Sequence, residues 1–296
     1  MEPTRPDDGE LIVAAGSTGR DGSVRTSTTT LALPPGSRLG VRVDPRRWCL
    51  GHPDADGVRH PCPDDAEIRH GRACTRCQEL DPYRWMHIAH RSQWPPDQAL
   101  REHLMRPHWL YVATFPGGQT KVGTAVDERK RARLDEQGAL HAHWIALAAD
   151  GVEVRLWEDR VSQQAGIGQV VRPAAKAAGL TAPIDLAQLA ATHQRAVERA
   201  TEALTGFGEA APFAEPWPNP RDPAELTTGD IHPYPDPLSE GCHGFSLASW
   251  WGPAALVVLD DAPELRWAVD LSALLGHRVE FGDWATASPA VQDALF

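Results

Sequence analysis

Four cysteines spaced Cys49-x12-Cys62-x11-Cys74-x2-Cys77 constrain this chain more tightly than any other feature. Two thiolates two residues apart grip one side of a tetrahedral metal ion, and two more arriving from a distance complete the shell. The segment holding them, "WCLGHPDADGVRHPCPDDAEIRHGRACTRCQ" at 48–78, is too rich in Pro, Asp, Gly and His for regular structure. The competing readings are a redox pair and free buried thiols. A redox Cys-x-x-Cys opens a helix behind an apolar strand, and "GRACTRCQELDPY" has no such strand before it. Four thiolates leave no position open to water, so the expectation is a structural Zn2+ on Cys49, Cys62, Cys74 and Cys77. His52, in Cys49-x2-His52, rivals Cys62 as a ligand, and His60 is a weaker rival. Cys242, in "EGCHGF", stands alone and reads as an ordinary residue.

The metal reading presumes a reducing compartment. "MEPTRPDDGELIV" lacks the basic start and apolar run of a signal peptide. The longest apolar stretch, "WWGPAALVVL" at 250–259, is half of the ~20 residues that span a bilayer. The expectation is a cytoplasmic protein with no membrane segment. Its 296 residues suffice for one large domain or two to three small ones. The net charge of −11 argues against a protein that coats duplex DNA, because phosphate neutralisation supplies most of that affinity. A local basic site remains compatible with it. Eleven tryptophans against three tyrosines read as core and core-edge filling.

Along the chain, 1–8 reads as a frayed start and 9–47 as an N-terminal β-rich segment of strands and Gly/Pro turns. The zinc-binding segment covers 48–80, and an α/β core covers 105–205. Within the core, "HWLYVATF" (108–115), "PGGQ" and "TKVGTA" (120–125) spell a β-hairpin. Asp127 is a candidate N-cap for a helix ending before Gly138. "HAHWIALAA" (141–149) is a strand closed at Asp150–Gly151, and "VEVRLWEDRVSQQ" is helical with Val154, Trp157 and Val161 on one face. A longer helix over 184–204 stripes Leu186, Leu189, His193, Val197 and Ala200. The 206–240 stretch forms a strap: eight prolines within 212–237 exclude a continuous helix or central strand, and Trp217 and Tyr234 are its anchors. A C-terminal β-rich segment, 241–296, includes a short helix near 270–275.

Between 121 and 133 five basic residues face two acidic ones, a local surplus in an acidic chain. The segment offers a phenol (Tyr111), an ammonium (Lys121) and guanidinium groups (Arg129, Arg131, Arg133), with Glu158 on the following helix. Phosphodiester chemistry needs such parts: an activated water, a cation facing the phosphate and usually a carboxylate holding a metal. Against this, Arg129, Lys130 and Arg133 read as an ordinary solvated helix face. His141 and His143 share one strand face and can bind metal only with a third ligand, which the sequence does not identify. "GQTKVGT" lacks phosphate-loop spacing, and no Gly-x-Ser-x-Gly elbow occurs.

The order strand with Tyr, turn, strand ending in Gly, helix with Arg, later helix with Glu resembles the GIY-YIG superfamily. "WLY" at 109–111 matches its first motif at the final tyrosine, "KVG" at 121–123 matches the second, Arg131 matches the helix arginine and Glu158 the glutamate. The resemblance implies Tyr111 in activating water, Arg131 in binding phosphate and Glu158 in holding Mg2+ or Mn2+. Lys121 replaces the second motif's tyrosine and Trp109 the first motif's glycine. A lysine can meet phosphate as a point charge but is not a phenol. The chain also resembles a bacterial family with a domain of unknown function and a GIY-YIG-like core, over roughly 40–283. It does so through "CLGH…PCPDD…CTRC", "LYVATF…KVGTAVDERKRARLDEQGA" and "GFSLASWWGPAALVVLDD".

The expected fold class is therefore α+β, with a GIY-YIG-like hairpin/helix core, a four-cysteine zinc segment and β-rich flanks. The expected function is binding or cleavage of nucleic acid, with RNA or single-stranded or branched DNA as partner. The catalytic set would be Tyr111, Lys121, Arg131 and Glu158. The alternatives are a catalytically silent RNA or single-stranded DNA module, and a small-molecule enzyme or protein adaptor that reuses the cleft.

Overall fold

The computed structural model describes residues 9–18, 24–91 and 96–289. The 1–8 start and the chain beyond 289 lie outside the described residues. The fold is mixed α/β, with several sheets and six α-helices among the described residues.

β1 (Gly9–Thr18) and β2 (Val24–Leu33) form an antiparallel ribbon. β3 (Arg38–Arg47) buries Leu39, Val41 and Val43 at alternate positions, the period of a strand with one covered face. The cysteine segment is more regular than its composition suggests. Asp54 Oδ1 accepts from the N–H groups of Asp56 and Val58 at 3.0 and 2.9 Å. That side-chain turn closes β4 (His52–Pro53) onto β5 (Arg59–His60). α1 (Thr75–Leu80) then carries Cys77, and α2 (Gln98–Leu104) buries Leu100 and Leu104.

The hairpin is β6 (His108–Thr114) and β7 (Thr120–Val126), followed by α3 (Lys130–Asp135), β8 (His141–Ala148) and α4 (Gly151–Ala165). Asp150 caps α4, accepting from Val152 N and Glu153 N at 2.8 and 2.7 Å. α5 (Pro173–Leu180), α6 (Leu186–Leu204) and β9 (Glu215–Pro216) complete the unit, whose sheet order is β7-β6-β8-β9, all antiparallel. β6 is buried on both faces, which is why it shows no polar alternation. One face packs Leu110, Val112 and Val122 against Val154, Trp157 and Val161 of α4 and Val197 and Ala200 of α6. The other packs Tyr111, Phe115 and Trp144 against Leu134 of α3 and Trp217. The expected Asp127 N-cap is corrected. A 3-10 turn over Asp127–Arg129 precedes α3, and the Asp127 carboxylate accepts instead from Trp109 Nε1 at 2.6 Å.

β10 (Ile231–Pro233), β11 (Gly241–Trp251), β12 (Ala254–Leu259), β13 (Ala262–Asp270) and β14 (His277–Phe281) form the second large sheet, in order β10-β13-β12-β11-β3-β14. β3 lies between β11 and β14, so the N- and C-terminal β-rich segments share one sheet and one core, built on Phe245, Val257 and Trp267. The short helix near 270–275 is a 3-10 turn over Leu271–Leu274.

The proline-rich stretch runs along β8 and across to the second sheet. Trp217 N donates to Ala142 O at 2.9 Å, and its side chain is buried. Arg221 then donates to Trp250 O at 2.7 Å and Asp135 O at 2.8 Å, joining β11 to the end of α3. Prolines are tolerated here because β9 is an edge strand with one side free of the ladder. Among the described residues no helix is long and apolar enough to cross a membrane.

Candidate functional site

The four cysteines meet. Their Sγ atoms all lie within 4.8 Å of one another, with Cys62 and Cys74 at 3.7 Å. The Cys49 sulfur accepts from Cys74 N at 3.1 Å and Gly51 N at 3.4 Å. Gly51 has φ +75°, and a Cβ there would collide with the His60 carbonyl, so the turn after Cys49 requires glycine. Burial first, then the three neighbouring thiols, push the Cys77 thiol well above its ordinary value. Four thiols brought together in this way could hold a metal ion as thiolates. Between 48 and 80 the buried residues are Gly51 and Cys77 alone. His52 does not join them: its Nδ1 faces Pro53 O at 3.1 Å, and its ring stacks on His60. His60 itself is held by Asp54 at 2.7 Å. Cys242 is exposed on β11, apart from the cluster.

The cysteine segment is fastened on two sides. Trp48 N donates to Gly276 O at 2.6 Å, and the Arg278 guanidinium lies 3.4 Å from the Trp48 ring centroid. Beyond α1, Tyr83 Oη donates to Ala55 O at 2.6 Å, and His90 meets Asp159 of α4 at 3.0 Å.

A second cluster surrounds the hairpin. Tyr111 on β6 is paired with Gly123 on β7, and its ring lies over that glycine. A Cβ at Gly123 would come within 2.6 Å of both Cζ and Oη of Tyr111, so the motif glycine is a space requirement. Gly123→Ala is expected to cost about 1–3 kcal/mol by overpacking, read as a lower urea midpoint at unchanged slope. An unchanged midpoint would show that the ring is free to move away.

The Tyr111 hydroxyl is fully enclosed, with the Arg133 guanidinium as its polar neighbour. Burial raises it to about 12, against the opposing field of Arg133. Lys121, 7% exposed, holds its Nζ 5.5 Å from the Tyr111 ring centroid. Burial, reinforced by Arg133 and Arg155, lowers its ammonium to about 8, with Glu158 acting in the other sense. Lys176 of α5, also buried, donates to Gln137 O at 2.7 Å and Gln137 Oε1 at 2.9 Å and lies 4.1 Å from the Phe115 ring centroid. Burial first, then Lys121 and Arg133, lower it to about 7.

Glu158 is buried on α4 and accepts from Arg155 Nη1 at 2.6 Å. Arg155 Nη2 in turn donates to His87 Nδ1 at 3.3 Å. Lys121 thus lies in the field of Arg133, Arg155 and Glu158, and Lys176 in that of Lys121 and Arg133, while the Glu158 carboxylate is committed to Arg155. Such a surplus of positive charge, partly screened from water, creates a local positive potential in an acidic chain.

The structure brings Tyr111, Lys121 and Glu158 together but not Arg131. Arg131 is exposed, and its field acts on Asp135. Two helical residues are about 200° of rotation, so Arg131 and Arg133 face opposite ways, and Arg133 turns inward. The solvated face expected for Arg129, Lys130 and Arg133 therefore divides into three. Arg129 pairs with Glu136 on the surface. Lys130 lies 3.4 Å from the Trp109 ring centroid and 4.0 Å from that of Trp144, and pairs with Glu215 at 3.0 Å. Only Arg133 joins the site. The missing third histidine is His193 of α6, buried, with Nδ1 2.9 Å from Thr114 Oγ1 and Nε2 2.9 Å from His143 Nδ1. His141 stacks on it at 5.7 Å. These imidazoles bond one another rather than converge: among the described residues only the four cysteines form a candidate metal-ligand group.

The family described as "Protein of unknown function (DUF2797)" matches residues 42–231, well over half of the chain. The protein belongs to that family. The DUF2797 match begins within β3 and ends at the first residue of β10, so it takes in both the cysteine centre and the cationic cluster. "GFSLASWWGPAALVVLDD" at 244–261 lies beyond it. No curated protein and no solved structure matches the chain.

Proposed function

We propose that this DUF2797 protein binds nucleic acid through its phosphate backbone, on a GIY-YIG-like core stiffened by a zinc centre. The observation that carries the reading is the unbalanced cluster of Lys121, Arg133, Arg155 and Lys176 around the hairpin, in a chain whose overall charge is −11. The element order β6, β7, α3, β8, α4, with Tyr111 against Gly123, supports the GIY-YIG-like assignment. Zinc is favoured at the cysteines because thiolates about 2.3 Å from a tetrahedral Zn2+ stand about 3.8 Å apart. The Cys62–Cys74 separation of 3.7 Å fits that edge. Zinc there supplies a cross-link, and its four ligands leave no site for substrate.

Lys121 and Arg133 receive the phosphate in this reading. Neither is committed to a carboxylate within ion-pair distance among the described residues, and Arg133 is the more exposed of the two. Glu158 holds Arg155 in place. A resident Mg2+ or Mn2+ on Glu158 does not fit, because the carboxylate is buried against a guanidinium and belongs to no candidate metal-ligand group among the described residues. Arg133→Gln is expected to weaken oligonucleotide binding and to reduce the slope of log affinity against log salt by about one. Titration of a labelled oligonucleotide at several salt concentrations measures both. A wild-type protein that binds no oligonucleotide, or an Arg133→Gln variant with an unaltered slope, would reject the reading.

Phosphodiester cleavage is a second reading, supported by the placement of Lys121, 7% exposed beside the Tyr111 ring, where burial lowers its ammonium to about 8 and makes it a usable proton acceptor. Lys121 would take a proton from water as the water oxygen bonds to phosphorus and the ester oxygen leaves. The enclosed Tyr111 hydroxyl has no path to that water. An oligonucleotide that stays intact with every divalent ion tried would reject cleavage and leave binding standing.

A further inference from the structure

A single exposed apolar side chain is ordinary on a protein surface. Trp85 differs from that case in its company. Six of the ten described tryptophans are buried and three are half-buried, whereas Trp85 is 49% exposed. It lies in a run of tight turns between α1 and α4, where Met86 N donates to Tyr83 O at 2.9 Å and Ile88 N to Trp85 O at 3.0 Å. The run is tied at both ends: Tyr83 to Ala55 in the cysteine segment, and His90 and Arg91 to Asp159 of α4. Its indole is therefore presented on a held support and not on a free loop.

The same support reaches the cationic cluster. His87, two residues and at most about 7 Å of chain beyond Trp85, receives a hydrogen bond from Arg155 and lies in the field of Arg133. The Arg84 guanidinium stands 5.4 Å from the Trp85 ring centroid, and Ile88 beside it is 46% exposed. A half-exposed indole, a guanidinium over its ring and a cationic cluster a short step away are the parts of a single-strand site. A base within a duplex is already stacked on both faces, so only an unpaired base can use the indole. Charge complementarity selects the occupant: the neighbours along this path are Arg84, Arg133 and Arg155, and the net negative charge elsewhere disfavours broad duplex contact.

We propose that Trp85 is a stacking platform for an unpaired base of a single strand whose phosphate is held at Lys121 and Arg133. The proposal rests on the phosphate-binding reading and adds the ligand class to it.

The test is fluorescence anisotropy of a fluorescein-labelled oligo(U) of about 12 nucleotides, beside a duplex of the same length. The wild-type protein is expected to prefer the single strand. Trp85→Ala should weaken that binding by about five-fold to more than a hundred-fold, with the salt slope unchanged, while Trp85→Phe stays near wild type. Duplex binding should be the same in all three proteins. Trp85→Ala binding oligo(U) as the wild type does, while Arg133→Gln loses affinity, would overturn the stacking site and leave the phosphate site intact. Equal losses for single strand and duplex in Trp85→Ala would also overturn it. Absence of binding by the wild type to either probe would remove the phosphate reading and this one with it.

Discussion

Cys77→Ser is expected to release the bound metal and to unravel the segment from Cys49 to Leu80. The reason is the lack of a hydrophobic core within the segment. Between 48 and 80 only Gly51 and Cys77 are buried, so hydrophobic burial cannot offset the conformational entropy of about thirty residues. Structural Zn2+ contributes about 10–16 kcal/mol in small zinc-finger peptides, as much as the whole stability of an ordinary domain. Cys77 is the fully enclosed ligand, and a serine oxygen in its place is a poor partner for the ion. The loss should also spread. Tyr83, His87 and His90 tie the segment to α4, so the Arg155 support beside Glu158 would loosen. The measurements are metal content per chain and limited proteolysis. About one Zn2+ per chain in the wild type, none in Cys77→Ser, and new cleavage within 48–91 are the expected results. Cys242→Ser, on the exposed lone cysteine, should match the wild type in both. A wild-type protein free of metal, or a Cys77→Ser protein with unchanged proteolysis, would reject the metal centre.

The second large effect is a pair of opposite responses to pH. Lys121 and Lys176 fall from the ordinary lysine value of 10.5 to about 8 and about 7 in the folded protein. Between those values and 10.5 the unfolded chain binds more protons than the folded one, so stability must rise with pH across that window. Burial is the first cause at both amines; Arg133 on α3 adds to it at each, Lys121 adds to it at Lys176, and Arg155 and Glu158 on α4 act in opposite senses on Lys121. The rise should be on the order of 1 kcal/mol for each lysine between about pH 7.5 and 9.5. Above about 10 it should reverse, because Tyr111 and Tyr234 are raised to about 12 and hold their protons in the folded state only. Oligonucleotide affinity should move the other way, falling over about pH 7–9 as the ammonium groups that face the phosphate become neutral. Urea midpoints and anisotropy, measured on the same samples, test both. Lys176→Met should flatten the stability rise. A stability that falls between pH 7.5 and 9.5 would mean that these amines are not desolvated in the folded protein.

Much of the architecture is legible in the sequence because its signals are local. The aromatic and β-branched run in "HWLYVATF", the turn "PGGQ" and the 3.6-residue stripe ending at Ala200 announce the hairpin and α6, and the structure has both. α5 carried a readable signal, Pro173 at its first turn followed by alanines, yet its function was not readable. Nothing near Lys176 in sequence shows that it stands beside Lys121.

The cysteine spacing by itself determined that 48–80 closes on one point, since ligand chemistry and chain length suffice for that conclusion. The tertiary structure decided that Cys62 and not His52 completes the four, because β4 and β5 turn the His52 ring onto His60. It also decided which arginine enters the site. Arg131 and Arg133 are alike in type and two residues apart, and only the direction in which α3 meets the sheet separates the exposed one from the one beside Tyr111. The insertion of β3 between β11 and β14 and the arrival of His193 at His143 are of the same kind. Periodicity and turn chemistry act over a few residues and are written in the sequence. The meeting of distant side chains depends on how packed elements are rotated against one another, which no local pattern records.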